Sequence, residues 1–132
     1  MTKSLGKNAA KLFASGAAEH DLQCVVMDFL DLALPRHEAI AFAVPNGGKR
    51  DKGTALKLKR EGQRNGVADI MVIWNGRPIG IEMKTAKGVQ TDDQKQWAKD
   101  FTLAGGVYAV CRSVDEVAAM LDATGIPLRA RI

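Results

Sequence analysis

Residues 66–85, GVADIMVIWNGRPIGIEMKT, constrain the fold more than any other stretch. Apolar and β-branched residues dominate both halves. Asn75-Gly76 between them is a strong hairpin signal, because both residue types accept the positive φ of a two-residue turn. The pattern predicts antiparallel strands over 67–74 and 79–85. Asp69, Glu82 and Lys84 stand among these apolar residues, and a sheet that keeps charges there needs a reason to do so.

The length of the turn decides which face of the sheet carries these charges. A two-residue loop sets Asp69 opposite Glu82, with Cβ atoms about 5 Å apart. A four-residue loop sets Asp69 opposite Lys84, and a three-residue loop sends it to the other face. Facing carboxylates on a half-buried sheet need a cation, which Lys84 or a Mg²⁺ ion held by oxygen ligands would supply. The simpler alternative is an ion pair on a solvent-facing sheet, which contributes little.

The N-terminal half predicts two helices and a strand around this hairpin. Apolar residues at three- and four-residue steps predict a helix over 18–34, which Pro35 ends. The segment AIAFAV, 39–44, predicts a strand, and a shorter helix is expected over 54–62.

The C-terminal half predicts a helix, a strand and a last helix. Thr91-x-x-Gln94 and Ser113-x-x-Glu116 have the form of capping boxes that begin helices, and GVYAVCRS, 106–113, predicts a strand between them. The first of these helices would cross over to that strand. The predicted fold class is therefore α/β of the α+β kind, a central mixed sheet flanked by helices.

Length and composition indicate one soluble domain over 18–132, preceded by a basic arm over 1–17. We expect a cytoplasmic protein, because no apolar run approaches the ~20 residues of a membrane span and the first residues lack the apolar core of a secretory signal. Cys24 and Cys111 lack metal-site or redox spacing, so we expect buried free thiols. The net charge of +4 favours a polyanionic partner.

Basic residues concentrate after the first predicted strand. They lie in the loop GGKRDKG and then recur at three- and four-residue steps along one helix face, which predicts a track for DNA phosphates. A solvated helix face balanced by acids is the alternative. The candidate residues are Lys49, Arg50, Lys52, Lys57, Arg60 and Arg64. Thr54 stands where a P-loop requires lysine, so no nucleotide cofactor is expected.

Two further polar residues can join the hairpin charges. Glu19 lies on the apolar-stripe face of the first helix, although the helix dipole favours an acid in any first turn. Gln94 shares a face with Trp97 and Phe101 and can point toward the sheet, although capping explains it equally well.

Asp69 followed by Glu82-x-Lys84 resembles the PD-(D/E)xK nuclease signature. The segments EHDLQ, PNGGKR, GVADIMV, IEMK and TDDQKQW, in this order over 19–121, resemble the virus-type replication-repair nuclease (VRR-NUC) family. The match departs at Ala68, where a proline commonly precedes the aspartate. That position has no chemical role.

The resemblance implies a restriction-endonuclease-like core and a metal-dependent endodeoxyribonuclease. Asp69 and Glu82 would bind Mg²⁺, for which Mn²⁺ would substitute, with Glu19 as an outer acid. Lys84 would lie near the attacking water, and Gln94 would support the site. The chain looks like the short stand-alone phage-type members, which are associated with homodimers that act on branched DNA such as Holliday junctions during replication or repair.

Three alternatives remain at the level of the sequence. A non-catalytic DNA-binding module would keep the nuclease fold without turnover. A flap or general endonuclease would need a partner protein. A structural or interaction protein would carry its basic surface incidentally.

Overall fold

The computed structural model describes residues 16–45 and 51–130 of the chain. The elements of this part are α1 (Gly16–Ala33), β1 (Ala39–Ala43), α2 (Lys52–Arg60), β2 (Ile70–Trp74), β3 (Arg77–Met83), α3 (Asp92–Leu103), β4 (Val107–Cys111) and α4 (Val114–Thr124). Each corresponds to a predicted segment. Helix α1 begins within the predicted arm over 1–17, the rest of which lies outside the described residues.

The four strands form one mixed sheet in the order β1-β2-β3-β4. β1, β2 and β3 pair antiparallel, and β3 pairs parallel with β4, so α3 is the crossover connection that the sequence predicts. Trp74 pairs with Arg77, which makes the hairpin loop two residues long. Asn75 and Gly76 have φ values of 53° and 71°, the positive pair that such a turn requires.

Alternation along the strands separates a core face from a second face. Ile79, Ile81 and Met83 of β3 are fully buried and pack with residues of β2 against α1 and α4. Gly80 and Glu82 alternate with them and therefore lie on the opposite face. The register that buries the apolar residues thus fixes the face that carries the charges.

Helix α3 covers part of this second face. A Cβ atom on Gly106 would lie 2.4 Å from the Phe101 ring, and one on Gly80 would lie 3.2 Å from it. Trp97 stacks on Phe101 with ring centroids 4.6 Å apart, and Tyr108 of β4 lies tilted against Trp97 at 6.1 Å. The two glycines therefore allow α3 to approach the sheet closely, and its first turn comes to lie beside Glu82.

The two cysteines differ in burial. Cys111 is buried and free as predicted, but Cys24 is exposed. The prediction of a second buried thiol is wrong because the buried side of α1 is formed by Ala18, Val26 and Leu30, and Cys24 lies off that stripe.

Among the described helices, none has the length and apolar character that crossing a bilayer demands.

Candidate metal centre and nucleic-acid interface

Asp69 stands immediately before β2, at the point where the β2–β3 ladder ends. The same register continued by one position sets Asp69 opposite Glu82, as the two-residue turn predicts. Asp69 Oδ2 accepts a hydrogen bond of 2.8 Å from the main-chain N–H of Met83, and the Asp69 carbonyl accepts one of 2.8 Å from Val44 N. The carboxylate thus takes the place of a main-chain partner at the end of β3, and this fixes its position.

Glu82 is almost fully buried, with 1% of its surface exposed. Its Oε2 accepts a hydrogen bond of 3.0 Å from Gln94 Nε2 and lies 3.6 Å from the Lys84 ammonium. Its Oε1 is buried and has no hydrogen-bond partner. A buried carboxylate oxygen without a partner is costly, so this atom is suited to receive a cation or a proton.

Glu19 of α1 completes a cluster of three acids. One carboxylate oxygen from each of Glu19, Asp69 and Glu82 lies within 4.8 Å of the others. Glu19 and Asp69 are half-buried, so the cluster opens to solvent on their side. Lys84, itself buried, is the cation next to Glu82. Among the residues that the structure describes, Lys84 is the one ammonium group that forms an ion pair with these carboxyl groups.

The cluster perturbs its own protonation. Burial and, after it, the negative charge of Asp69 raise the pKa of Glu82 from 4.5 to about 8. Lys84 opposes this rise, and Glu19 adds to it. Burial also raises the pKa of Tyr108 to about 12, with a further contribution from Glu82. The cluster therefore favours the protonated form of Glu82, and positive charge that enters the site would favour the ionised form.

The donor set fits a divalent cation with oxygen ligands. Mg²⁺ and Mn²⁺ accept one or two carboxylates together with waters. The three convergent carboxyl groups offer such ligands, and the open side leaves room for water. A cation would also give the Glu82 Oε1 atom the partner that it lacks. The acids are thus compatible with a metal site, and carboxylate oxygens do not distinguish the two metals.

Gln94 joins the capping box of α3 to the acid cluster. The Oε1 atom of Gln94 accepts a hydrogen bond of 2.9 Å from the main-chain N–H of Thr91, and the main-chain N–H of Gln94 donates one of 3.1 Å to Thr91 Oγ1. These bonds fix the amide group so that Nε2 points to Glu82 Oε2. The sequence offers capping of α3 and a position beside the sheet charges as alternatives for Gln94. In the structure the oxygen of its amide group caps α3 and the nitrogen contacts Glu82.

Arg112 stabilises the connection between Lys84 and α3, and sequence analysis missed it. Its Nη1 donates hydrogen bonds of 2.6 Å to the carbonyl groups of Thr85 and Gly88. Arg112 follows β4, more than twenty residues from this loop, so no local pattern reveals the contact. Its charge is used inside the protein.

Gly66 was also missed as a determinant of the site. Its φ is +80°, and a Cβ atom there would lie 2.3 Å from the carbonyl oxygen of Asp93. Only glycine allows the chain before Asp69 to lie directly against the start of α3. A glycine before the aspartate is the available sequence signal, but it does not name the partner.

Two open cavities flank Asp69. The first, of about 390 Å³, lies between α2, the chain before Asp69 and the start of α3, and Lys59 and Arg64 line it. The second, of about 360 Å³, lies between the start of α1 and the end of β1, and Glu19 and His20 line it. The acid cluster therefore lies between two spaces that are open to solvent.

The predicted basic track is only partly placed beside the acids. Lys49 and Arg50 lie outside the described residues. Lys52, Lys57 and Arg60 belong to α2, an amphipathic helix none of whose residues is buried. Arg64 lines the first cavity, whereas Lys57 and Arg60 are not among its lining residues. Lys59, which the sequence analysis did not select, does line the first cavity.

Comparison with known proteins bears on the fold. No protein-family model matches the chain, and no curated protein matches it. A solved structure described as a "VRR_NUC domain protein" matches with a TM-score of 0.62 and 20% sequence identity, over 83% of this chain and 88% of that one. The chain therefore has a VRR-NUC-like fold, an α+β fold with a mixed sheet, and the resemblance found in the sequence is confirmed at this level.

The shifted pKa of Glu82 predicts how stability depends on pH in the absence of divalent cations. The folded protein holds the Glu82 proton more tightly than the unfolded chain does, so its stabilising effect is complete below pH 4.5. We expect the free energy of unfolding to fall as pH rises from about 4.5 to about 8, and Glu82→Gln to remove this part of the dependence. Urea unfolding at several pH values measures both.

Glu38→Gln is the matched control, because Glu38 is exposed in the turn before β1 and is not part of the acid cluster. The control should keep the slope of the original protein. Identical slopes in the original protein and in Glu82→Gln would contradict the assignment.

Proposed function

We propose that this protein is a metal-dependent endodeoxyribonuclease that hydrolyses phosphodiester bonds in branched or otherwise structured DNA. The convergence of Glu19, Asp69 and Glu82 within 4.8 Å, with Lys84 beside Glu82, is the observation that carries this proposal. The VRR-NUC-like fold supports it, since the same residues carry the resemblance in the sequence. The activity is proposed to take place in the cytoplasm of a bacterial or phage-infected cell.

Each residue of the cluster has a proposed role. Asp69 and Glu82 would hold the cation, and Glu19 would contribute to holding it, directly or through water. Mg²⁺, or Mn²⁺ in its place, would supply the positive charge that polarises the phosphate and lowers the pKa of an attacking water. Gln94 holds the Glu82 carboxylate in place through its hydrogen bond of 3.0 Å. Removal of such an outer contact typically costs about 10- to 100-fold in affinity or activity.

Lys84 acts at the reacting phosphate. Its ammonium group orients the attacking water and offsets the negative charge that grows on the phosphate as the water oxygen bonds to phosphorus. The bond between phosphorus and the 3′ oxygen then breaks, and a proton passes to that oxygen. The products are a 5′-phosphate and a 3′-hydroxyl.

The basic residues are proposed to bind the DNA backbone. Lys49, Arg50, Lys52, Lys57, Arg60 and Arg64 are the candidates. Phosphate contacts carry no direct sequence code, so DNA shape would decide which substrate binds, and salt would weaken binding steeply.

Cleavage of labelled four-way junction, flap and linear duplex DNA with Mg²⁺, Mn²⁺ or EDTA tests the proposal. We expect metal-dependent cleavage that Glu82→Gln reduces by at least about a hundredfold, because a metal-centred charge supplies several kcal/mol of transition-state stabilisation. The variant keeps the shape of the side chain and should still bind DNA in EDTA. Glu38→Gln should cleave as the original protein does.

The competing functions give different results in the same assay. A non-catalytic DNA-binding module would bind all substrates in a salt-sensitive manner and cleave none. A flap or general endonuclease would prefer a flap or would cut plain duplex. A protein without a nucleic-acid role would fail to bind DNA even at low salt.

A homodimer is proposed because a four-way junction cut symmetrically requires two sites related by a twofold axis. The chain offers an apolar surface for it. Strand β1 is the first strand of the sheet, and its Ile40 and Phe42 side chains are 62% and 45% exposed. Their register partners Ile73 and Met71 extend this apolar surface across β2.

Sedimentation equilibrium tests the dimer. We expect a mass of twice 14.2 kDa for the original protein, and a dissociation constant raised at least roughly tenfold by Ile40→Ser, since burial of one such side chain contributes about 1.5–3 kcal/mol. Leu103→Ser on α3, where the side chain is 78% exposed, is the matched control and should not change the constant. A monomer at all concentrations, or equal effects of both substitutions, would refute this interface.

A further inference from the structure

The first cavity beside Asp69 has a wall that is set by the fold. Ala55, Lys59 and Gln63 follow one another at four-residue steps, so one stripe of α2 and its end forms one side. Gly66, pressed against the start of α3, forms the other. Because Asp69 and Gln94 border both this space and the acid cluster, a strand that places a phosphate at the acids can continue directly into this cavity.

The charges of the two cavities differ. Lys59 and Arg64 line the first cavity, whereas none of the described residues that line the second is a lysine or an arginine. Two acids also line the first cavity: Asp69, which belongs to the acid cluster, and Asp93 in the first turn of α3, where the helix dipole partly compensates its charge. Away from the acid cluster, two cations therefore face one acid, Asp93, and this balance favours an anionic group on the α2 side of the cavity.

We propose that the first cavity binds a single backbone phosphate of the cleaved strand, next to the one at the acid cluster, and that Lys59 and Arg64 are the residues that contact it. This inference rests on the proposed cleavage of DNA and gives the strand a defined path across the site. A volume of about 390 Å³ lies at the lower end of the range of ~300–1,000 Å³ for small-molecule sites, so the cavity suits one nucleotide and not a duplex.

The proposal distinguishes Lys59 from the other basic residues of α2. At about 100° per residue, Lys57 points roughly 200° away from Lys59, so the two side chains leave opposite sides of the helix. Lys57 and Arg60 would contact DNA outside the cavity, wherever the backbone passes. Lys59 and Arg64 would contact one phosphate at a fixed distance from the cut. This difference in position is measurable.

The experiment uses substrates in which one phosphate near the cut is replaced by an uncharged methylphosphonate, one position at a time. The protein should cleave one of these substrates roughly tenfold more slowly than unmodified DNA, since a contact to a charged group is lost. The double variant Lys59→Gln with Arg64→Gln should show a similar loss on unmodified DNA, and the same methylphosphonate should then have no further effect. Such non-additivity is the mark of a direct contact.

The matched control is the double variant Lys57→Gln with Arg60→Gln, which loses the same charge from the same region. It should still be slowed by the methylphosphonate at that one position. The proposal is overturned if no single position slows the original protein. It is also overturned if the loss caused by Lys59→Gln with Arg64→Gln and the loss caused by the methylphosphonate simply add. The same holds if the methylphosphonate has no further effect on cleavage by the control.

A second measurement separates this proposal from the proposed function. Thymidine 3′,5′-bisphosphate with Mg²⁺ should shift the NMR amide signals of Gly66 and Gln94 in the original protein and in the control. Its affinity should fall roughly tenfold in Lys59→Gln with Arg64→Gln. These results without cleavage of DNA would refute the nuclease and keep the phosphate site. Cleavage of DNA with unchanged affinity in that variant would refute the phosphate site and keep the nuclease.

Discussion

The hydrogen bond from the Met83 main-chain N–H to Asp69 is the interaction on which the site depends. It joins the end of β3 to the residue before β2, and it sets one carboxyl group directly beside the buried Glu82. The cost of this arrangement is visible in the raised pKa of Glu82 and in its partnerless Oε1 atom. The remaining contacts of the site, from Gln94 and Lys84, partly offset that cost. A fold that maintains such an unfavourable cluster is arranged to receive positive charge.

Some cationic side chains bind main-chain carbonyl groups of distant segments, and others line the cavity beside the acids. Arg112 and Arg129 are engaged with main-chain carbonyl groups, one beside the site and one between the C-terminal segment and the end of α1. They hold loops in place and contribute little to a DNA surface. Lys59 and Arg64 line an open space next to the acids, where Arg64 donates a hydrogen bond of 3.3 Å to the carbonyl group of the neighbouring Gln63. Net charge alone does not reveal this division, since it counts all cations equally.

The parts of the fold that follow local rules could be predicted from the sequence. The two-residue turn at Asn75 fixed the facing of Asp69 and Glu82, and the capping form of Thr91 and Gln94 located α3. Contacts between distant segments could not be predicted, because no local pattern encodes them. Arg112 is an example, and so is the approach of Glu19 to the other acids, which depends on how α1 packs against the sheet.

The proposed function requires that Glu19, Asp69 and Glu82 form one site for a divalent cation. Electron paramagnetic resonance of free Mn²⁺ titrated with the protein at pH 8 measures it directly, without reference to DNA or to activity. We expect one Mn²⁺ bound per chain, with binding lost in Asp69→Asn and kept in Asp28→Asn, since Asp28 is exposed on α1 and is not part of the cluster. Failure of the original protein to bind Mn²⁺, or equal binding by Asp69→Asn, would refute this cation site.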